Sequence, residues 1–335
     1  MPAPGATILG CAGPVLDRAE ARALARLDPW GLILFARNVE NPGQLRRLTG
    51  DLRAALGREA PVFIDQEGGR VARLRPPEWR GWPTPLDTLS GLPDAAAERY
   101  LWLRYRLVAA ELSALGIDGN CAPLADLARP ETHAILRDRC YGTTPAEVLP
   151  RARAVAEACL AGGVLPVLKH IPGHGRATAD SHLDLPRVTA PRAELEASDF
   201  AAFRGLADLP LGMTAHIVYD ALDAARPATL STAAIGAIRK DMGFDGLLMT
   251  DDISMQALSG LLAARSVAAI AAGCDLVLHC NGQMAEMEEV AEAAGRLSPA
   301  AAERAARALA ARRAPEPADL PALAAECAAL EAGHG

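Results

Sequence analysis

Nowhere does this sequence hold the run of about 20 apolar residues that a membrane-crossing helix needs, so no membrane partner is expected. Basic charge is also scarce: 34 Lys and Arg stand against 41 Asp and Glu, a net charge of −7. A nucleic-acid partner would ask for a basic face, and none is expected here. The seven cysteines are odd in number, scattered, and without any C-x-x-C spacing. They offer neither a disulfide framework nor a thiolate metal site, and read as reduced, buried thiols of a cytoplasmic protein. No signal peptide is expected either. Ile8-Leu9-Gly10-Cys11 has the form of a lipoprotein cleavage box, but no basic residue precedes it and the apolar stretch is too short. It reads as a buried first strand. After it, Cys11-Ala12-Gly13-Pro14 lacks the glycine fingerprint that a dinucleotide-binding sheet would place there.

What the chain does have is a repeating pattern. Of its 335 residues 50% are hydrophobic and 22% charged, as in a globular enzyme. Short apolar runs recur at Thr7–Cys11, Gly31–Phe35, Val62–Asp65, Ile117–Cys121, Val164–Lys169, Leu211–Ala215, Gly246–Thr250 and Asp275–His279. Amphipathic stretches such as Pro42–Leu56, Ala95–Leu115, Ala146–Ala161 and Arg192–Leu206 separate them. Strand-then-helix alternation of this kind predicts a single-domain α/β fold, the (β/α)8 TIM-type barrel, over residues 1–313. A doubly wound open sheet is the competitor. Residues 314–335 read as a tail with a short, loosely held helix at Leu320–Leu330, with no second domain.

Polar residues gather where the runs stop. Asp65 ends one, Asp126 follows another, Lys169 and His170 end the fifth, and His216 follows the sixth. Asp251 and Asp252 follow the seventh, and His279 and Asn281 the eighth. Singly, each reads as a cap or a solvated side chain; together they mark the catalytic face of a barrel. The densest stretch is Lys169-His170-Ile171-Pro172-Gly173-His174-Gly175, with Asp180-Ser181-His182 shortly after. Proline and glycine there forbid a regular helix, so its polar groups sit on an irregular loop. A belt of carboxylates, cations and histidines suits the hydroxyls of a sugar ring. Glycosidic cleavage adds two demands: a carboxylate beside the anomeric carbon and a proton donor near the leaving oxygen. Asp251 fits the first. Because side chains alternate along a strand, Asp252 should have a structural task instead. For the second, His182 oriented by Asp180 is a candidate, since imidazole titrates near neutral pH. On spacing alone, a loop cap and a surface histidine are equally good readings of that pair.

These motifs resemble the β-N-acetylhexosaminidase branch of glycoside hydrolase family 3 (the NagZ branch). The resemblance rests on Lys169–Gly175 with Asp180-Ser181-His182, and on Asp65-Gln66-Glu67-Gly68-Gly69-Arg70-Val71-Ala72-Arg73. Ala122–Asp126, Arg139-Cys140-Tyr141 and Gly243–Met255 add to it, and it spans roughly residues 5 to 285. Cys140 stands where the family commonly has serine. The resemblance implies a cytoplasmic enzyme of cell-wall recycling that releases N-acetylglucosamine from N-acetylglucosaminyl-anhydromuramic acid and its peptide-bearing forms. It implies Asp251 as nucleophile, His182 as general acid/base and Asp180 as its orienting partner. Asp65, Arg73, Arg139, Lys169 and His170 would bind the sugar.

The expected mechanism is therefore two-step with retention, through a glycosyl-Asp251 ester. No cofactor and no metal are expected; the partner is a small muropeptide or amino sugar, and the chain is expected to be a monomer. Rival readings are attack by the substrate's own acetamido oxygen, a β-glucosidase-like relative, and a phosphorylase. A metal-dependent amidohydrolase, with His170, His174 and His182 as ligands, belongs to another class. It would want an H-x-H pair after the first strand, which Cys11-Ala12-Gly13 does not supply. A non-catalytic sugar-binding barrel is a third class.

Overall fold

The structure is a computed structural model that describes residues 3–177 and 185–333. Eight parallel strands close into a barrel: β1 Gly5–Gly10, β2 Pro29–Leu34, β3 Val62–Ile64, β4 Gly119–Asn120, β5 Leu165–Ile171, β6 Leu211–Thr214, β7 Leu247–Asp252 and β8 Leu276–His279. Each strand pairs with its neighbours in sequence, and β1 closes on β8 through Thr7–Val277 and Leu9–His279. All eight expected strands are present. Their apolar runs are nearly continuous because parallel strands covered by helices are buried on both faces.

Two strands run further than expected. β5 continues through Lys169 and His170 to Ile171, where it pairs with Thr214 of β6. β7 continues through Asp251 to Asp252, held by pairing of Asp252 with Leu278. Lys169, His170, Asp251 and Asp252 are therefore fixed on strands rather than on loops beyond them.

The helices between strands carry clear start signals. Asp17 caps the helix Arg18–Leu27 by accepting from the Ala19 and Glu20 N–H groups. Thr144 and Glu147 form a reciprocal capping box, with Pro145 at the first turn, for Pro145–Ala161. The stretch expected as one helix from Arg192 to Leu206 is two, Arg192–Ala197 and Asp199–Arg204. Ser198 breaks it with non-helical backbone angles, and its hydroxyl donates to Glu194 O. The break puts Asp199 where it pairs with both Arg129 and Arg176.

After the barrel, the helix Pro299–Ala311 covers β7, and Leu320–Ala332 packs on Asp94–Ala114. The latter makes Arg99–Glu326 and Arg80–Glu331 ion pairs and buries Cys327. All seven cysteines are free. Among the described residues, no helix is long and apolar enough to cross a membrane.

Candidate active site

Parallel strands in a barrel deliver all their carboxyl ends to one face. On that face a cavity of about 360 Å3 is lined by Asp65, Arg73, Arg139, Lys169, His170, His174, Asp251 and Asp252, with Ile33, Phe35, Met213, Met255 and Leu278 as apolar wall. Six residues expected from sequence to act on a sugar thus share one pocket.

The loop from Asp65 to Arg73 is built around an amide. Asn120, on β4, accepts from Gln66 N–H through Oδ1 and donates to Gln66 O through Nδ2. The Gln66 side chain then accepts from Arg73 N–H and Leu74 N–H and donates to Leu74 O. This folds the segment into a short hairpin and returns Arg73 to Asp65, with Nη2 2.9 Å from Oδ2. Gly68 is required at the turn: its φ is +108°, and a side chain there would run into the Arg104 guanidinium. Arg104, fully buried, donates to the Glu67 carbonyl.

Below the pocket mouth lies a compact charge cluster. Lys169 Nζ sits 3.1 Å from Asp65 Oδ1 and 2.6 Å from Glu67 Oε1. Arg139 makes two parallel 2.8 Å bonds to Glu67, the fork geometry that fixes a guanidinium plane. Burial alone would raise the Asp65 carboxyl, but Lys169 and Arg73 hold it well below the ordinary range. Glu67 is likewise lowered, because Arg139 and Lys169 outweigh its burial. Burial would discharge Lys169, yet Glu67 and Asp65 raise its pKa. The cluster is therefore fully ionised, with fixed cations and acceptors facing the pocket.

Asp126 organises the opposite wall. Its Oδ2 lies 2.7 Å from His170 Nδ1, and Oδ1 accepts from the His174 N–H at 2.6 Å. That bond commits His170 Nδ1 and leaves Nε2 as the ring nitrogen for the cavity. Burial, followed by the neighbouring His170, lowers the His174 pKa to about 4, so this imidazole is neutral near pH 7. The Lys169–His170 and Ile171–Pro172 peptides are both cis.

Asp251 is half-buried at the end of β7. Its Oδ1 accepts from the Asp252 N–H at 2.8 Å. Burial pushes its carboxyl up, but His170, His216 and that N–H more than offset the rise and leave it below the ordinary range. An ionised, oriented carboxylate on a rigid strand is what nucleophilic attack on carbon requires. Asp252 touches the same cavity, yet its carboxylate is committed to Ser254 N–H, Ser254 Oγ–H and Cys280 N–H.

Kinship follows from comparison with known proteins. The model of the glycosyl hydrolase family 3 N-terminal domain matches residues 15–311. The chain belongs to glycosyl hydrolase family 3. The β-hexosaminidase of Alkalilimnicola ehrlichii is 39% identical to this family 3 hydrolase over 285 residues, 83% of this chain and 81% of that one. The β-hexosaminidase of Bordetella avium is 37% identical over 287 residues, with the same coverage of 83% and 81%. Among solved structures, NagZ from Neisseria gonorrhoeae in complex with N-trifluoroacetyl-D-glucosamine aligns with a TM-score of 0.87 at 30% identity, covering 100% of this chain and 99% of that one. The chain is a glycoside hydrolase of the β-hexosaminidase, NagZ-like kind.

In this family 3 hydrolase, Asp180 and His182 lie outside the described residues. Of the other polar strand-end groups, His216 is fully buried behind Asp252, and His279 pairs with Glu286 at 3.2 Å. Asn281 also donates to Glu286. Among the described residues, no group of three or more histidines, cysteines, aspartates or glutamates is arranged to hold a metal ion. Sequence reasoning passed over Glu67 and Asp126 as site residues. Glu67 lies within the quoted Asp65–Arg73 motif, and a carboxylate two residues after Asp65 on a turn was the available signal. Asp126 was noticed only as a strand-end residue, and its link to His170 spans 44 positions of sequence.

Proposed function

We propose that this hydrolase is a retaining exo-β-N-acetylglucosaminidase of peptidoglycan recycling, acting in the cytoplasm as a monomer on N-acetylglucosaminyl-anhydromuramic acid and its peptide-bearing forms. The observation that carries the reading is the shared cavity: ionised Asp251 stands on β7 in the same pocket as the Asp65–Lys169–Arg73 cluster, Arg139 and His170. Support for an amino-sugar substrate comes from the Neisseria relative, whose structure holds N-trifluoroacetyl-D-glucosamine.

In the first step Asp251 attacks the anomeric carbon while His182, oriented by Asp180, protonates the departing oxygen. A glycosyl-Asp251 ester forms and the aglycone leaves. In the second step His182 takes a proton from water, which attacks the same carbon and frees Asp251. Asp65, Lys169, Arg73, Arg139 and His170 hold the ring hydroxyls and the substituent at C2, converting binding energy into orientation. No metal or cofactor takes part in this scheme.

The test is hydrolysis of a β-N-acetylglucosaminide beside the corresponding β-glucoside, on wild type and Asp251→Asn. The N-acetylglucosaminide should be strongly preferred, and Asp251→Asn should lower its kcat by a factor on the order of 10⁴. Equal rates on the two sugars, or an Asp251→Asn variant within tenfold of wild type, would overturn the reading.

A further inference from the structure

His216 stands just past β6, is 0% exposed, and does not line the cavity. A buried histidine next to a reaction centre invites an account of both its ring nitrogens. Nε2 lies 3.0 Å from the Asp252 carbonyl oxygen. A carbonyl only accepts, so the proton is on Nε2. Nδ1 lies 2.8 Å from Thr229 Oγ1, and Thr229 in turn is 2.8 Å from Thr214 Oγ1. Burial lowers the His216 pKa from its ordinary 6.5, so the ring is neutral at pH 7. With the proton on Nε2, Nδ1 accepts from the Thr229 hydroxyl, whose other acceptor is the Ala215 carbonyl at 3.1 Å.

The receiving carbonyl takes two donors, one from its own segment and one from His216. Pairing of β7 with β6 ends at Met249 and Met213. Three residues further on, the Asp252 carbonyl accepts from Met255 N–H at 3.1 Å, a turn bond within its own segment, and from His216 across from β6. His216 is thus the donor that ties this carbonyl to the end of β6, beyond the last paired residues. Asp252 is then gripped on every polar group: its carbonyl by His216 and Met255 N–H, its carboxylate by Ser254 and Cys280, and its N–H by Asp251 Oδ1.

We propose that His216 is a positioning residue for glycoside cleavage: by donating Nε2–H to the Asp252 carbonyl it immobilises the residue whose N–H holds Asp251 Oδ1, and so aims the other carboxylate oxygen at the anomeric carbon. The Thr229 hydroxyl serves the same end by holding Nδ1, and with it the orientation of the ring that aims Nε2 at that carbonyl. This role rests on the reading of Asp251 as the nucleophile. It is separate from sugar binding, since His216 touches none of Asp65, Arg73, Arg139 or Lys169 through any hydrogen bond among the described residues.

The experiment compares His216→Leu, His216→Gln and Thr229→Val with wild type, using 4-nitrophenyl N-acetyl-β-D-glucosaminide for turnover and N-acetylglucosamine for binding. Leucine fills the space without a donor, whereas the glutamine amide can return an N–H close to the place of Nε2. A misplacement of the nucleophile by about 1 Å can cost about 10²-fold. His216→Leu should therefore lower kcat/KM by about 30–100-fold with the Kd for N-acetylglucosamine within about threefold of wild type. His216→Gln should recover to within about fivefold. Thr229→Val should lose about three- to tenfold with the same unchanged Kd, which keeps the test usable if His216→Leu does not fold.

His216→Leu within twofold of wild type, glutamine no better than leucine, or a weakened Kd with unchanged kcat would each overturn the proposal. If leucine does not fold, Thr229→Val at wild-type rate would do so. Asp251→Asn is assayed beside them. If it is inactive while His216→Leu is fully active, only the positioning role fails; if it is active, the nucleophile assignment fails first.

Discussion

At the scale of single residues, the site works by opposition between burial and pairing. Lys169 is 2% exposed and Glu67 1%, and neither would stay charged alone. Each is ionised because the other lies 2.6 Å away and because Asp65 and Arg139 complete the cluster. Breaking such a buried pair by removing one charge costs about 3–5 kcal/mol, because the stranded partner stays buried. Glu67→Gln should therefore lower the thermal midpoint markedly and raise KM, as Arg139 and Lys169 lose their anchor; an unchanged midpoint would show that water or a rearrangement replaces Glu67. A different signature is expected for the acid/base. His182→Ala should slow cleavage of natural sugar leaving groups by about 10²–10⁴-fold and affect activated aryl leaving groups far less. Equal losses on both substrates would remove His182 from the role. The sequence disclosed Asp65, Lys169, His170 and Asp251 because they end apolar runs. Asp126 was legible only as one more strand-end carboxylate; its bond to His170 was not, because the two become neighbours only when β4 and β5 pair.

At the scale of elements, strands deliver and helices brace. β5 and β7 carry their functional side chains within the paired region, which is why the expected ends at Lys169 and Thr250 fell short. Polar residues at a strand's end look like loop in a hydropathy pattern, although backbone pairing ignores side-chain polarity. The hairpin after Asp65 was equally hidden, since it depends on two amides, Gln66 and Asn120, that are 54 positions apart. On the far side of the molecule, the long helix Asp94–Ala114 meets the C-terminal helix around Glu111, whose Oε2 is buried without a hydrogen-bond partner. Burial raises the Glu111 pKa from an ordinary 4.5 to about 7. Between those values the folded chain keeps a proton that the unfolded chain has released, so this group's contribution to stability falls as pH rises through that window. Its cost above pH 7 is about 2 kcal/mol once partial exposure is allowed for. Glu111→Gln should be more stable than wild type at pH 8 and no more stable at pH 4.5, measured by thermal or denaturant unfolding. A gain of equal size at both pH values would mean that the charge is not the cause.

At the scale of the whole molecule, the account joins a common scaffold to one specific arrangement on its rim. The barrel was legible as eight alternations of apolar run and amphipathic stretch, and its closure by β1 on β8 follows from that count. The break at Ser198 was not legible, because it answers to Asp199 meeting Arg129 and Arg176 from other parts of the chain. Family membership covers residues 15–311, but fold alone does not specify chemistry. Chemistry here turns on which atom bonds to the sugar. A 5-fluoro N-acetylglucosaminyl fluoride should therefore be incubated with the enzyme, and the digest mapped by mass spectrometry. The account predicts a stable glycosyl adduct on the peptide containing Asp251, specifically on that side chain, with activity lost in step with labelling. An unlabelled enzyme that is strongly inhibited by a thiazoline analogue would contradict it, since the acetamido oxygen would then be the nucleophile.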